Sequence, residues 1–175
     1  MRKLKITELN RLSPDDFKRA AKIPLIVVLD NVRSLHNVGS VFRTSDAFLI
    51  EAIYLCGITA TPPHAEIHKT ALGAENTVEW KYFENTPEAV NELKRKGYCI
   101  AAVEQAENSR RPDEFHFETE PLAVIFGNEV RGVDQEVMNL CDLCIEIPQF
   151  GVKHSLNVSV AAGIVLWEIR KQRRC

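Results

Sequence analysis

The sequence lacks the features that identify membrane-spanning and secreted proteins. No apolar run in the 175 residues approaches the ~18 needed to cross a bilayer, and the charged start contains no apolar core of a signal peptide. The five cysteines are odd in number and irregularly spaced, which is not typical of a disulfide framework. We therefore expect a cytoplasmic protein with no membrane partner.

The sequence also lacks the loops of the commonest nucleotide-dependent and hydrolytic enzymes. It contains no GxxxxGK[ST] phosphate loop, no GxGxxG after the first predicted strand and no GxSxG elbow. One CxxC is present, at Cys141 and Cys144, but a zinc site needs two further ligands and no second pair stands nearby. We therefore predict no metal site and expect two small buried residues beside a helix end.

Positive charge is not in excess, but it is concentrated at the two ends of the chain. The net charge is −2, yet residues 1–22 carry seven Lys and Arg against three acids. The segment from Trp167 adds Arg170, Lys171, Arg173 and Arg174 against Glu168, whereas residues 104–120 are acidic. Such segregation is typical of a basic face that contacts a phosphate backbone, although it would serve solubility equally well.

Apolar runs of strand length alternate with helical patterns along the chain. The predicted strands are 24–30, 52–57, 98–103, 121–127 and 143–148, with a weaker one at 78–83. The predicted helices are 13–21, 40–48, 64–72, 86–97, 134–140 and 157–172. This order predicts an α/β fold with a mostly parallel sheet and helices on both faces over residues 23–175, after a basic helical extension at 1–22.

The last predicted helix is unusual because it is apolar on nearly all sides. Its sequence from Val158 is VSVAAGIVLW, whereas a surface helix shows a polar face. Ser159 and Gly163 would allow another helix to approach closely. A subunit interface and a central position within one monomer both explain this pattern.

Three segments rich in glycine, asparagine and charge follow predicted strands, where α/β sheets bind ligands. In the first, Asn37 and Gly39 lie at a predicted helix start, and Arg43 follows about one turn later with a fork suited to phosphate. In the second, the glycines at 127 and 132 enclose Asn128 and Glu129 and permit close approach of a ligand. Each of these two segments alone is also compatible with a purely structural role, as a helix cap with a surface arginine or as a strand-to-helix turn.

The third segment, residues 147–160, combines apolar and polar side chains around another helix start. Ser155 and Asn157 are good capping residues, and Ile147 and Leu156 offer apolar surface for a flat ring. His154 is either a base or a solvated loop residue, and the second interpretation is favoured.

Together the three segments resemble the three signature motifs of the SpoU/TrmH branch of the SPOUT methyltransferases. The first resembles N-x-G-x-x-x-R, with Asn37, Gly39 and Arg43 in place. The second resembles F-G-N-E-G-x-G, and the third resembles I-P-x-x-G-x-x-x-S-L-N-V-S-V-A over residues 147–161. One departure is visible, because Val130 stands where the second motif has glycine, and this puts the geometry of that turn in question.

This resemblance, which spans Leu25 to Trp167, implies an RNA ribose 2′-O-methyltransferase with a deep trefoil knot near its C-terminal strands. Threaded chains are close to forbidden, so the knot follows from the resemblance alone. The resemblance also implies that the knot loops bind S-adenosylmethionine. The implied cofactor-binding residues are Val103, Glu104, Gly127, Asn128, Ile147 and Leu156. The implied catalytic residues are Arg43, Asn37, Glu129, Ser155 and Asn157.

The resemblance implies that Arg43 takes part in removing the proton from the ribose hydroxyl. A free guanidinium is a poor base, so two roles stay open: it stabilises the developing alkoxide or clamps a phosphate, or it acts as a base when buried. Asn37 would orient Arg43 or the ribose, and Glu129 would anchor Asn37, Arg43 or a loop of the partner subunit. Ser155 and Asn157 would shape the pocket and hold the target nucleotide.

We expect RNA as the substrate and a homodimer formed through the C-terminal helix and the knot region. Transfer RNA is favoured over ribosomal RNA, because about 22 residues precede the first strand and leave no room there for an additional RNA-binding domain. Two alternatives are a SPOUT-type base methyltransferase and a non-catalytic module that binds RNA or adenosine. The Asn37 and Arg43 pair argues against the first, and the intact polar motif residues argue against the second.

Overall fold

Six parallel strands form the sheet that the apolar runs predict. The structure is a computed structural model that describes residues 1–117 and 120–173. The strands are β1 (Ile23–Asp30), β2 (Ile50–Cys56), β3 (Glu79–Phe83), β4 (Cys99–Val103), β5 (Leu122–Phe126) and β6 (Leu143–Ile145). Their order across the sheet is β3-β2-β1-β5-β4-β6, so β5 lies between β1 and β4.

Alternate side chains of the central strands enter two separate cores. In β1, Leu25, Val27 and Leu29 belong to one apolar cluster, and Ile26 and Val28 belong to the other. All five are at most 2% exposed. The continuous apolar runs therefore reflect burial on both faces, as expected for a parallel sheet.

The helices cover both faces of this sheet. They are α1 (Pro14–Arg19), α2 (Leu35–Ala47), α3 (Ala65–Ala71), α4 (Thr86–Arg95), α5 (Gln135–Met138) and α6 (Val158–Gln172). The core on the first face contains apolar residues of α1, α2, α3 and α6, and the core on the second contains those of α4 and α5. The predicted α/β class with helices on both faces is confirmed.

Two predicted boundaries differ from those observed by three residues or more. Helix α2 begins at Leu35 rather than at residue 40, because Ser34 caps it and its Oγ accepts from the N–H of Asn37 at 3.3 Å. Strand β6 ends at Ile145 rather than at residue 148. Of the predicted charge clusters, Glu118 and Arg174 lie outside the described residues.

The N-terminal segment contains less helix than predicted. Its α-helix is limited to Pro14–Arg19, with a short 3-10 turn at Ile6–Glu8. Phe17 is only 4% exposed and belongs to the core of the sheet, while the basic residues around it are exposed or half-buried. The segment is therefore tied to the sheet through one aromatic anchor.

Helix α6 has two apolar faces in different surroundings. One face is buried and comprises Val158, Ala162, Val165, Leu166 and Ile169. The opposite face exposes Val160, Ile164 and Trp167, which are 50%, 42% and 55% accessible. The all-round apolar sequence therefore combines a core face with an uncovered apolar stripe.

The segment after β4 wraps around the outside of β6. The N–H of Arg110 donates to the carbonyl of Cys144 at 3.0 Å, and the N–H of Glu146 donates to the carbonyl of Arg110 at 2.9 Å. Strand β6 thus lies between β4 on one side and the Arg110 segment on the other.

At the amino edge of the sheet, where the strands begin, a buried arginine donates hydrogen bonds to backbone carbonyls. Arg173 is 5% exposed, and its guanidinium donates to the carbonyls of Phe117 (2.7 Å), Pro24 (2.9 Å) and Glu120 (2.5 Å). Burial lowers the pKa of Arg173. The C-terminal end of α6 is thereby fastened to the start of β1 and to the segment that leads into β5.

The helices offer no membrane-spanning segment within the described part of the chain, since none there is both long and apolar enough.

Candidate functional site

A cavity of about 590 Å³ lies at the carboxyl ends of β4 and β5 and beside the segment after β6. Its volume is in the usual range for small-molecule and cofactor sites. All six predicted cofactor-binding residues line it: Val103, Glu104, Gly127, Asn128, Ile147 and Leu156. Three predicted catalytic residues line it as well: Glu129, Ser155 and Asn157. Segments far apart in sequence therefore converge on one cavity.

A tight turn at residues 127–132 forms part of the cavity wall. The N–H of Asn128 donates to the carbonyl of Gly132 at 3.0 Å, and the reverse bond measures 2.9 Å. Gly132 has a φ of 71°, a left-handed conformation that favours glycine. A Cβ on Gly127 would lie 2.2 Å from the carbonyl carbon of Gly132, so the close approach requires glycine there too.

Val130 occupies the tip of this turn without strain. Its side chain is 77% exposed, and the left-handed residue of the turn is Gly132. The Asn128 side chain holds the tip, because its Oδ1 accepts from the N–H groups of Val130 (2.9 Å) and Arg131 (3.1 Å). The departure from the motif glycine is therefore accommodated.

Glu129 connects the turn to the start of α2. Its carboxylate accepts from the backbone N–H groups of Arg33 and Ser34, both at 2.9 Å, and from Nδ2 of Asn37 at 3.0 Å. Burial alone would raise the pKa of Glu129, but these N–H donors outweigh it and hold the pKa below its usual value. A carboxylate at a helix N-terminus also complements the helix dipole.

Asn37 links Glu129 to the third motif. Its Oδ1 accepts from Nδ2 of Asn157 at 3.1 Å, and the Asn37 residue is 8% exposed. Asn157 caps α6, since its Oδ1 accepts from the N–H of Ser159 at 2.9 Å. One residue from each motif therefore belongs to a single chain of hydrogen bonds.

Arg43 is placed differently from the expectation. Because α2 begins at Leu35, Arg43 lies about two turns into the helix rather than one. It is exposed, on the same stripe as His36, Ser40 and Ala47, and is not among the residues that line the cavity. Within residues 1–117 and 120–173, its side chain has no hydrogen bond or ion pair, so the guanidinium can accept an external anion.

Gly39 has a packing role instead of the expected place at a helix start. It lies inside α2 against α3, and a Cβ there would be 2.2 Å from Oγ1 of Thr70 and 2.3 Å from the carbonyl of Ile67. The motif glycine therefore sets the distance between two helices.

The mouth of the cavity is formed by polar loop residues. Glu104 accepts from the N–H of Val133 at 3.1 Å and supports the turn. Gln105 donates from Nε2 to the carbonyl of His154 at 2.6 Å, while Ser155 is exposed and lines the cavity. The imidazole of His154 is exposed, in line with the favoured interpretation of a loop residue.

The two CxxC thiols are half-buried and donate to backbone carbonyls. Sγ of Cys141 lies 3.3 Å from the carbonyl of Val137, and Sγ of Cys144 lies 3.4 Å from that of Glu104. Burial raises the pKa of Cys141 to about 12. In the described ranges, no three His, Cys, Asp or Glu side chains group in a way that could hold a metal ion.

Asp30 is a buried carboxylate at the same edge of the sheet that the sequence did not single out. It ends β1, is 1% exposed, and accepts from Oγ1 of Thr86 (2.5 Å), Nδ2 of Asn31 (2.9 Å) and the N–H of Asp134 (3.2 Å). The available sequence signal was an acidic residue at the end of an apolar strand. Such a carboxylate is buried only if it is hydrogen-bonded, so it indicates a polar contact at that strand end.

Comparison with known proteins gives a consistent result. The profile of the SpoU rRNA Methylase family matches residues 24–167. A tRNA (guanosine(18)-2'-O)-methyltransferase of Thermus thermophilus is 34% identical over 95% of this chain and 84% of the relative. A 23S rRNA (guanosine-2'-O-)-methyltransferase of Neisseria meningitidis is 33% identical over 91% of this chain and 63% of the relative.

Solved structures show the same similarity in three dimensions. A TrmH/SpoU tRNA modifying enzyme of A. aeolicus superposes with a TM-score of 0.80 at 30% identity, over 91% of this chain and 81% of that one. An AdoMet-bound rRNA methyltransferase of Sinorhizobium meliloti gives 0.80 at 28% identity, over 92% and 61%.

Proposed function

We infer the function from one premise: the chain belongs to the SpoU rRNA methylase family. On that basis it is an S-adenosylmethionine-dependent RNA methyltransferase that acts on a ribose 2′-hydroxyl. The observation that carries this proposal is the hydrogen-bonded chain Glu129–Asn37–Asn157, which joins one residue of each motif beside a cofactor-sized cavity.

The cavity suits the cofactor in size and in chemistry. Apolar side chains of Val103, Ile147 and Leu156 provide surface for a flat ring, while the turn at 127–132 and the loop at 154–157 provide polar groups. When bound there, S-adenosylmethionine supplies a methyl group that is already activated on a sulfonium. The protein has to hold the ribose oxygen in line with that methyl group and to assist loss of the hydroxyl proton.

We assign the second task to Arg43. Its guanidinium is exposed and unpaired in the described residues, which suits a fixed cation that stabilises a developing alkoxide or clamps the adjacent phosphate. The exposed position in one protomer gives no support for a buried base. Asn37 and Glu129 then act as positioning residues, because they fix the first turn of the helix that carries Arg43.

We also propose that the active form is a homodimer that packs through α6. The exposed stripe of Val160, Ile164 and Trp167 lies beside a groove of about 620 Å³ that is also lined by Pro112 and Pro148. Such an apolar face on a small chain is typical of a subunit interface. Helix α6 contacts the end of α2, where the ring of Trp167 packs against that of Phe48. A second copy on the exposed face of α6 would therefore lie close to α2, the helix that carries Arg43.

The deep trefoil knot is part of the same proposal. The bonds between Arg110 and residues 144–146 support this proposal, because they hold the segment after β4 alongside β6 on the side away from β4. We propose that the chain from β6 to α6 passes through the loop that this segment forms, as a knot requires.

We propose transfer RNA as the favoured substrate and the cytoplasm as the location. Of the two named relatives, the transfer RNA enzyme is covered over the larger share of its length. The exposed basic residues of the N-terminal segment, among them Lys3, Lys5 and Arg11, provide positive charge for a phosphate backbone. Ribosomal RNA is the alternative substrate, as in the Neisseria relative.

The test is methyl transfer from labelled S-adenosylmethionine to separated transfer RNA and ribosomal RNA, followed by nuclease mapping. We expect label in transfer RNA on a nucleotide whose 3′ bond resists alkaline hydrolysis, because a methylated 2′-oxygen cannot attack the phosphate. Label on a base would indicate the base-methyltransferase alternative. Cofactor binding without transfer to either RNA would indicate a binding module.

A further inference from the structure

A second cavity, of about 790 Å³, lies on the other side of the turn at 127–132. The two cavities share a wall formed by Asn128, Val130, Arg131, Gly132, Val133 and Gln135. Arg33 and Ile58 line the second cavity and not the first. A ligand in the second cavity would therefore lie next to the cofactor cavity, with only the turn between them.

Two arginines in this cavity have fixed backbones and free side chains. The N–H of Arg33 donates to Glu129 at 2.9 Å, and the N–H of Arg131 donates to Oδ1 of Asn128 at 3.1 Å. Both residues are exposed, and neither guanidinium has an ion pair or hydrogen bond within the described part of the chain. Two guanidinium groups on fixed backbones, with their N–H donors exposed, suit the oxygens of a phosphate.

The acids in the cavity wall do not neutralise these arginines. Asp30 already accepts hydrogen bonds from Thr86, Asn31 and the N–H of Asp134. The carboxylate of Asp134 is exposed and can accept from hydroxyl groups, which a ribose supplies. Ile58, which is 66% exposed, adds apolar surface for a base. Phosphate, sugar and base are thus all matched by nearby groups.

We propose that this second cavity binds the sugar-phosphate of a nucleotide that neighbours the methylated one, with Arg33 and Arg131 on its phosphate. The proposal rests on the proposed function, because it takes RNA as the ligand. It assigns the turn at 127–132 a double role, with the cofactor cavity on one face and the RNA strand on the other.

The test is RNA binding without cofactor, measured with bulk transfer RNA by filter retention at a series of salt concentrations. We expect Arg33→Gln and Arg131→Gln each to weaken binding about tenfold and to reduce the slope of log affinity against log salt by about 1. Arg33→Lys should keep the slope and lose part of the affinity, because it keeps the charge without the fork. Affinity for S-adenosylmethionine should stay within about twofold in the Arg33 variants, because Arg33 lines the second cavity and not the cofactor cavity.

Arg95→Gln is the matched control. Arg95 is an exposed arginine at the end of α4, at the amino edge, and its loss removes the same charge from a surface remote from both cavities. Unchanged RNA affinity and slope in the Arg33 and Arg131 variants would overturn the proposal while leaving the function intact, provided that the wild type still methylates RNA. Weaker binding that accompanies dissociation of a dimer would also overturn it, since the arginines would then serve a subunit contact. Failure of the wild type both to bind and to methylate RNA would remove the function itself.

Discussion

The two edges of the sheet hold arginine side chains in opposite ways. At the amino edge, Arg173 is buried and its guanidinium donates to three backbone carbonyls. At the carboxyl edge, Arg33 and Arg131 are anchored through their backbone N–H groups and leave their guanidinium groups exposed. A guanidinium that donates to the protein's own backbone stabilises the fold, whereas one without such bonds is available to a ligand.

The same contrast holds for the carboxylates. Glu92, on α4, binds Lys81, Lys96 and the hydroxyl of Tyr54 and connects a helix to the sheet. Glu129 instead accepts from the N–H groups of Arg33 and Ser34, just before α2, and is itself part of the wall of the cofactor cavity. Variants at the two edges should therefore separate stability from activity, and four of them test this separation.

The largest effect is expected at Arg43, on the helix that Glu129 anchors. Arg43→Ala should reduce the rate constant for methyl transfer by about 10³-fold, as for loss of a group that stabilises a developing oxyanion. S-adenosylmethionine affinity and the free energy of unfolding should be nearly unchanged, because the side chain is exposed. Single-turnover kinetics measures the rate constant, calorimetric titration measures the cofactor affinity, and urea unfolding measures the free energy of unfolding. Near-normal turnover would remove Arg43 from the mechanism.

At the amino edge, Arg173→Met should have the reverse outcome. It leaves three carbonyls without their donors, and we expect a loss of about 3 kcal/mol in the free energy of unfolding. Activity per folded molecule should stay the same. Urea unfolding measures the loss, with Arg95→Met as an exposed control expected to change stability by less than about 0.5 kcal/mol. An equal loss in both variants would contradict a stabilising role for the three hydrogen bonds of Arg173.

Glu129→Gln should give a smaller effect, mainly on rate. An amide oxygen can still accept from one backbone N–H, but the charge at the start of α2 is lost. We expect about a tenfold lower rate constant with cofactor affinity reduced less, because a positioning residue acts through Arg43. Glu129→Asp, which keeps the charge but shortens the reach, is the comparison. A fall in stability without a change in rate would make Glu129 purely structural.

The smallest effect is expected at Glu92, and it depends on pH. Contacts with Lys81 and then Lys96 lower the pKa of Glu92 to about 2. A depressed carboxyl pKa stabilises the fold above the unfolded value of about 4.3, and that contribution is lost as the pH falls towards 2. Glu92→Gln should therefore cost about 1 kcal/mol at neutral pH, and the difference should vanish in acid. Glu84→Gln, an exposed control, should change the free energy of unfolding at neutral pH by less than about 0.5 kcal/mol.

Much of the fold was predictable because burial on both faces of a parallel sheet leaves a direct trace in the sequence. The run at 24–30 became β1 with a shift of one residue. The start of α2 lies earlier than the sequence predicts, because Ser34 is the cap and Asn37 and Gly39, which are typical of a helix start, lie inside the helix. Arg43 therefore lies one turn deeper in the helix than the predicted start implies.

The composition of the site was predictable, but its connections were not. The resemblance to the three family motifs pointed to residues that line the cavity, at or after the ends of strands. The bonds from Glu129 to Arg33 and Ser34, and from Arg173 to Pro24, join residues about a hundred or more positions apart. No local pattern encodes such pairs, because they depend on which strands become neighbours in the sheet.

The carboxylate of Glu129 couples the turn in the cavity wall to the start of α2, so that the two must move together. Whatever shifts the tip around Val130 must either break two bonds to backbone amides or carry the first turn of α2 with it. We expect a ligand on one side of that wall to influence the position of Arg43, which lies eight residues after the start of the helix.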